Sequence, residues 1–114
     1  MALTVATEST SGFKRFMRSA KINKIPVKVL GMGEEWKGGD MERGVGGGQK
    51  VNFLVKELES HKDNPDKIVM FTDSYDVLIN AGVEQILEKF KAFDARVLFS
   101  AEGFCWPDER LAVK

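Results

Sequence analysis

Three segments of this chain carry apolar residues at i, i+3, i+4 and i+7, and each lies between two short apolar runs. They are Phe13, Phe16, Met17 and Ala20; Val51, Leu54, Val55 and Leu58; and Val83, Ile86, Leu87 and Phe90. That spacing stacks four side chains on one helical face. Lys14, Arg15 and Arg18 point away from the first face, and Lys56, Glu57 and Glu59 from the second. The runs between them, residues 2–7, 27–30, 68–72 and 96–101, read as strands. The run at 68–72 has the apolar, β-branched character of a strand buried on both faces. The order is therefore β-α-β-α-β-α-β. Each crossover is long enough for a right-handed βαβ unit, so the chain should fold as an α/β protein, a Rossmann-like, mostly parallel sheet with flanking helices.

In open α/β sheets, ligands bind just beyond the carboxyl ends of the strands. The residues that follow each run are accordingly the candidates. The third run ends in Asp73 and Asp76, two carboxylates able to hold a hard divalent cation, with Mg²⁺ or Mn²⁺ the usual bridge to a diphosphate. The alternative is a turn in which aspartate caps the next element. The second run opens into a stretch holding Gly31, Gly33, Gly38, Gly39, Gly44, Gly46, Gly47 and Gly48, eight of the chain's 11 glycines. A loop that long inside a compact domain is usually functional or disordered. Trp36, set among those glycines, is placed either to stack on a base or pack under a sugar, or to pin the loop into the core.

The glycines match no phosphate fingerprint. Gly31 and Gly33 lack the third glycine of the dinucleotide pattern, and Gln49 separates Gly48 from Lys50, which breaks the P-loop spacing. What remains is a glycine-opened helix whose exposed backbone N–H groups favour anions, with Lys50 adding charge in its first turn. The first and fourth runs end in Thr7 and in a Glu102/Cys105/Trp106 cluster. All four features then fall on one edge of the sheet. His61, the only histidine, lies in the helix-breaking stretch 61–66, away from them, and reads as solvated surface.

Composition narrows the rest. With 114 residues the chain is one domain or part of one, and 17 basic against 17 acidic residues point to no nucleic-acid or anionic-membrane partner. One cysteine, Cys105, excludes a disulfide or a cysteine-built metal cluster within the chain. No apolar run approaches the roughly 18 residues of a membrane span. Residues 1–5 lead straight into a strand with no signal peptide, so the protein is expected to be cytosolic or to have lost its N-terminus.

Several blocks of the sequence are long and unusual: residues 5–7, 31–40, 46–50, 70–77 and 104–108. Together, and in register from residue 2 to the end, the chain resembles the amino-terminal glycosyltransferase domain of the procollagen lysyl hydroxylases. The resemblance implies a GT-A-type nucleotide-sugar fold, of which residues 1–114 would be the N-terminal part, a truncated half-domain. It implies that Asp73 and Asp76 bind Mn²⁺ and, through it, the UDP diphosphate. Thr7, Trp36 and Tyr75 match the nucleoside-binding positions, with Trp36 as the stacking ring, and Lys50 suits the diphosphate. Glu102 and Trp106 match positions near the sugar and acceptor.

The implied donor is UDP-galactose or UDP-glucose, and the implied acceptor is procollagen hydroxylysine or its galactosylated form. The implied compartment is the endoplasmic reticulum lumen or the secreted space, and the parent would be a homodimer. Fe²⁺, 2-oxoglutarate and ascorbate would serve a dioxygenase domain absent from this chain. The competing expectation is a non-catalytic scaffold or dimerisation module that accompanies the lysyl hydroxylase.

Overall fold

The computed structural model describes residues 1–39, 47–101 and 103. Its elements are β1 (Ala2–Val5), α1 (Ser11–Ile22), β2 (Val27–Leu30), α2 (Gly48–Glu59), β3 (Met70–Thr72) and α3 (Val83–Ala92). The three strands form one parallel sheet in the order β2-β1-β3. The fold is thus α/β, with a small open parallel sheet flanked by helices.

The central strand is β1, and this is the first departure from the sequence reading. β1 is buried throughout, Leu3 and Thr4 completely. β3, at the sheet's edge among the described residues, is only half-buried. The apolar run at 68–72 looks like an interior strand because its residues are apolar, but interior position depends on having partners on both sides. Ala2 pairs with Val27 on one side and Met70 on the other, so β1 holds that position.

Strand register sets the two faces. Ala2, Val27 and Met70 share a face, and with them pack Phe16, Ala20 and Ile25 from α1 and its exit, Ile79, and Ile86 of α3. Thr10 caps the start of α1, its hydroxyl accepting from the Phe13 N–H. At the far end of α1, Ser19 and Asn23 fix the backbone of Ile79, Ser19 Oγ accepting its N–H at 2.9 Å and Asn23 Nδ2 donating to its carbonyl at 2.8 Å. The opposite sheet face, which carries Lys28, belongs to α2.

The second departure concerns α2. The face expected to pack, Val51, Leu54, Val55 and Leu58, is mostly exposed, Val51 at 56% and Val55 at 49%. Phe53, Leu54 and Glu57 turn toward the sheet instead. The reason is electrostatic as well as apolar: Glu57, expected to face water, accepts from Lys28 Nζ at 2.7 and 2.8 Å and lies 3.1 Å from His61 Nε2. Lys67 Nζ meets the other ring nitrogen of His61 at 3.1 Å. An ammonium can only donate, so Nδ1 accepts and the Nε2–H donates to Glu57. His61 is therefore half-buried in a polar tie rather than solvated.

The third departure is the fourth strand. Residues 96–101 form no ladder, and Val97, Leu98 and Phe99 stand exposed, Phe99 at 84%. Their apolar pattern satisfies the side-chain requirement of a strand, but a strand exists only through backbone pairing, and here they do not pair with the open edge of β3. The helical expectation for Val83, Ile86, Leu87 and Phe90 holds, with the last three half-buried in α3. Among the described residues no helix is long and apolar enough to cross a membrane.

Candidate functional site

The chain leaves β1 toward β2 on one side and reaches β3 on the other. Between the carboxyl ends of β1 and β3 the connections therefore diverge, and that is the position at which open α/β sheets leave a crevice. Three residues stitch this crevice. Thr4 Oγ1 donates to the Thr72 carbonyl at 2.7 Å, and the buried Ser74 hydroxyl donates to the Val5 carbonyl at 3.2 Å. The Tyr75 hydroxyl oxygen then accepts two successive backbone N–H groups, Thr7 at 3.1 Å and Glu8 at 3.2 Å.

Both lone pairs of the Tyr75 hydroxyl are thereby used, and its ring, 42% exposed, is what remains available at the crevice. Thr7 is similarly committed: its N–H goes to Tyr75 and its carbonyl accepts from Gly33 N–H at 3.0 Å. Only its side chain is free of these bonds. Gly12, in the first turn of α1, lies so close that a Cβ there would stand 2.0 Å from the Tyr75 carbonyl oxygen. Helix α1 can approach the Asp73–Asp76 turn only because residue 12 has no side chain.

The glycine loop closes the other side. Gly31 and Gly33 have positive φ, 79° and 83°, a conformation open to glycine and costly elsewhere. Gly31 also rests against the Phe53 ring of α2, which a Cβ would meet at 2.9 Å. Trp36 is half-buried, and its indole N–H donates to the Gly39 carbonyl at 2.9 Å. Gln49 of α2 fastens the loop beside it, accepting from Lys37 N–H at 2.6 Å and donating to the Glu35 carbonyl at 3.0 Å.

Lys50, next along α2, bonds Asp73 Oδ1 at 2.5 Å, linking the helix to the carboxylate turn. The side chain of Asp73 is 52% exposed, so it can also meet a ligand from solvent. Asp76 is exposed three residues further on. Helix α2 has no acidic residue in its first turn, so the positive end of its dipole is not neutralised there.

Among the described residues no group of three or more His, Cys, Asp or Glu side chains gathers as a metal site. Asp73 and Asp76 offer hard oxygen donors of the kind that suit Mg²⁺ or Mn²⁺, and the Lys50 ammonium already sits against Asp73.

Thr7 with Tyr75 and Lys50 with Asp73, each proposed from sequence, thus form two contacts that share the turn after β3, and the loop that carries Trp36 is tied to the same helix as Lys50. Glu102 and Trp106 lie outside the described residues. The sequence reading missed Thr4, Gly12, Gln49, Phe53 and Ser74. Ser74 between two aspartates and Gly12 beside a helix cap were visible signals; Gln49 was noticed only as a break in the phosphate-loop spacing.

The arrangement is that of a Rossmann-like α/β protein with a polar and aromatic crevice at its topological switch point. A family model described as the PLOD GT domain matches residues 1–114, and the chain belongs to that family. It is 53% identical over 109 residues to a procollagen-lysine,2-oxoglutarate 5-dioxygenase of Drosophila melanogaster, an alignment covering 96% of this chain and 15% of the relative. To the multifunctional procollagen lysine hydroxylase and glycosyltransferase LH3 of Homo sapiens it is 52% identical over 112 residues, 98% of this chain and 15% of that protein. A Caenorhabditis elegans multifunctional procollagen lysine hydroxylase and glycosyltransferase is 49% identical over 114 residues, covering 98% of the chain and 16% of the relative. The chain thus spans about one-sixth or less of these relatives' length.

Proposed function

We propose that this chain is the UDP-sugar- and Mn²⁺-binding part of a glycosyltransferase domain that modifies hydroxylysine in collagen. The observation that carries the reading is the meeting of Thr7, Tyr75, Lys50 and Asp73 at the switch-point crevice, with the Trp36 loop fastened to the same helix. Two of the relatives are named as both hydroxylase and glycosyltransferase, which supports enzymatic status for the parent protein.

In this reading Trp36 and the Tyr75 ring take the uracil, and Thr7 offers its hydroxyl to the nucleoside. The N-terminus of α2 and Lys50 take the diphosphate. Asp73 and Asp76 would hold Mn²⁺, which when bound supplies the Lewis acidity that stabilises the departing diphosphate. Neither aspartate would serve as general base, because both would be taken up as metal ligands. Glu102 and Trp106 are assigned to the sugar and acceptor by resemblance alone. The donor is UDP-galactose or UDP-glucose, the acceptor is procollagen, and the compartment is the secretory lumen. Iron and 2-oxoglutarate chemistry belongs to residues outside this chain.

Calorimetry tests the reading. UDP should bind more tightly with Mn²⁺ than without, and Asp73→Ala should remove that gain. UDP binding indifferent both to Mn²⁺ and to Asp73→Ala would replace this reading with the scaffold module.

A further inference from the structure

We infer that Gln49 is the positioning residue that presets Trp36 for its ligand, an inference that rests on the nucleotide-binding reading above. The Gln49 amide makes two hydrogen bonds of opposite sense, to residue 37 and to residue 35, the neighbours of Trp36 on either side. One planar group therefore fixes the peptide both before and after the indole. A glycine-rich loop has more backbone freedom to lose than any other kind, so a ring carried on it without such a clamp would be ordered only at the moment of binding. With the clamp, and with the indole N–H tied to the Gly39 carbonyl, that ordering is complete beforehand.

Gln49 and Lys50 are consecutive on α2. The first holds the aromatic loop, and the second holds Asp73. The first turn of one helix thus sets the spacing between a base-stacking ring and a carboxylate that meets a diphosphate. Phe53, one turn further on, seats Gly31 at the root of the same loop. Gln49 touches no ligand in this scheme. Its action runs through Trp36.

The test uses a Trp106→Phe background, so that Trp36, one of two tryptophans, is the only emitter. Gln49→Met keeps the length and removes both hydrogen bonds. Gln49→Glu keeps the acceptor for Lys37 N–H and loses the donor to the Glu35 carbonyl. Without ligand, acrylamide quenching of Trp36 should rise in Gln49→Met and rise less in Gln49→Glu. UDP affinity should fall about tenfold in Gln49→Met, the scale of a lost stacking contact. Binding of Mn²⁺-pyrophosphate, which has no base to stack, should stay unchanged in Gln49→Met, whereas Gln49→Glu, which adds a negative charge at the helix N-terminus, is read by ligand-free quenching alone.

Quenching identical to the parent would overturn the clamp. Equal weakening of UDP and pyrophosphate would show a general loss of structure and overturn it too. A parent chain that binds no UDP would reject the nucleotide reading and the ligand role with it, and the ligand-free quenching would still decide whether Gln49 holds Trp36.

Discussion

At the level of single residues, the tightest constraint falls on a glycine with an ordinary role in a helix. A methyl group at position 12 would have to displace the Tyr75 carbonyl, 2.0 Å from its ideal position. Backbone cannot swing aside as a side chain can. Gly12→Ala should therefore cost about 1–3 kcal/mol of stability, the range for overpacking, and should also shift the turn bearing Asp73 and Asp76. Chemical denaturation together with UDP titration checks both effects. A stable variant with weakened binding would separate the turn's position from the fold's stability, and a variant unchanged in both would refute the contact. Trp36 should behave in the opposite way. Trp36→Ala should lower UDP affinity by about 1–3 kcal/mol with little loss of stability, since the ring is only half-buried and its one hydrogen bond is local. A large drop in melting temperature with unaltered UDP affinity would make it a loop anchor instead.

The elements differ in how readable they were. α1 and β2 follow from sequence almost residue for residue, because the Phe13/Phe16/Ala20 stripe and the run at 27–30 each state one local preference with no rival. α2 was found, but its orientation was not. Its apolar stripe at Val51, Val55 and Leu58 loses to an ion pair that joins Glu57 to Lys28, 29 positions away. No window of sequence contains that partner. The meeting of Thr7 with Tyr75 was legible from topology, since both follow parallel strands; the clamp by Gln49 was not, since it depends on how the loop folds back. The ion pair gives α2 an acid-sensitive tie. The Lys28 ammonium bonded to Glu57 holds its carboxyl below the usual 4.5, against the burial that raises it, and His61 adds to the lowering. A depressed carboxyl contributes stability that is full above the unfolded value of about 4.5 and is lost as pH falls through the lowered folded value. Glu57→Gln should thus be less stable than the parent near neutrality, with the gap narrowing below about pH 4.5. Urea denaturation at stepped pH measures it, and a gap independent of pH would mean that Glu57 acts through packing alone.

Across the whole molecule, two stretches of exposed apolar surface stand out among the described residues. One is the outer face of α2, and the other is the unpaired stretch with Val97, Leu98 and Phe99 at 69%, 45% and 84% exposure. The second accompanies an edge strand, β3, whose outer backbone groups have no neighbouring strand among the described residues. Exposed edges and apolar patches promote association. The chain at high concentration should sediment as more than a monomer, and Phe99→Lys should shift it back toward one. A parent that stays monomeric at all concentrations would show that these surfaces are already satisfied.

The bonds that build the crevice between β1 and β3 have a consequence in time. Thr4 to Thr72, Thr7 to Tyr75 and Val5 to Ser74 each join residues 68 or 69 positions apart. The central strand therefore leaves the ribosome well before its partner on one edge, which waits for residues 68 positions later. At bacterial-to-eukaryotic elongation rates of roughly 5–20 residues per second, that is a wait of several seconds. During it Leu3 and Val5, wholly or nearly buried in the finished protein, lack β3 beside them. Long-range parallel pairing is also the slow kind. The nascent chain is most exposed to misassembly in that interval, and the crevice between β1 and β3 exists only once the third strand has arrived.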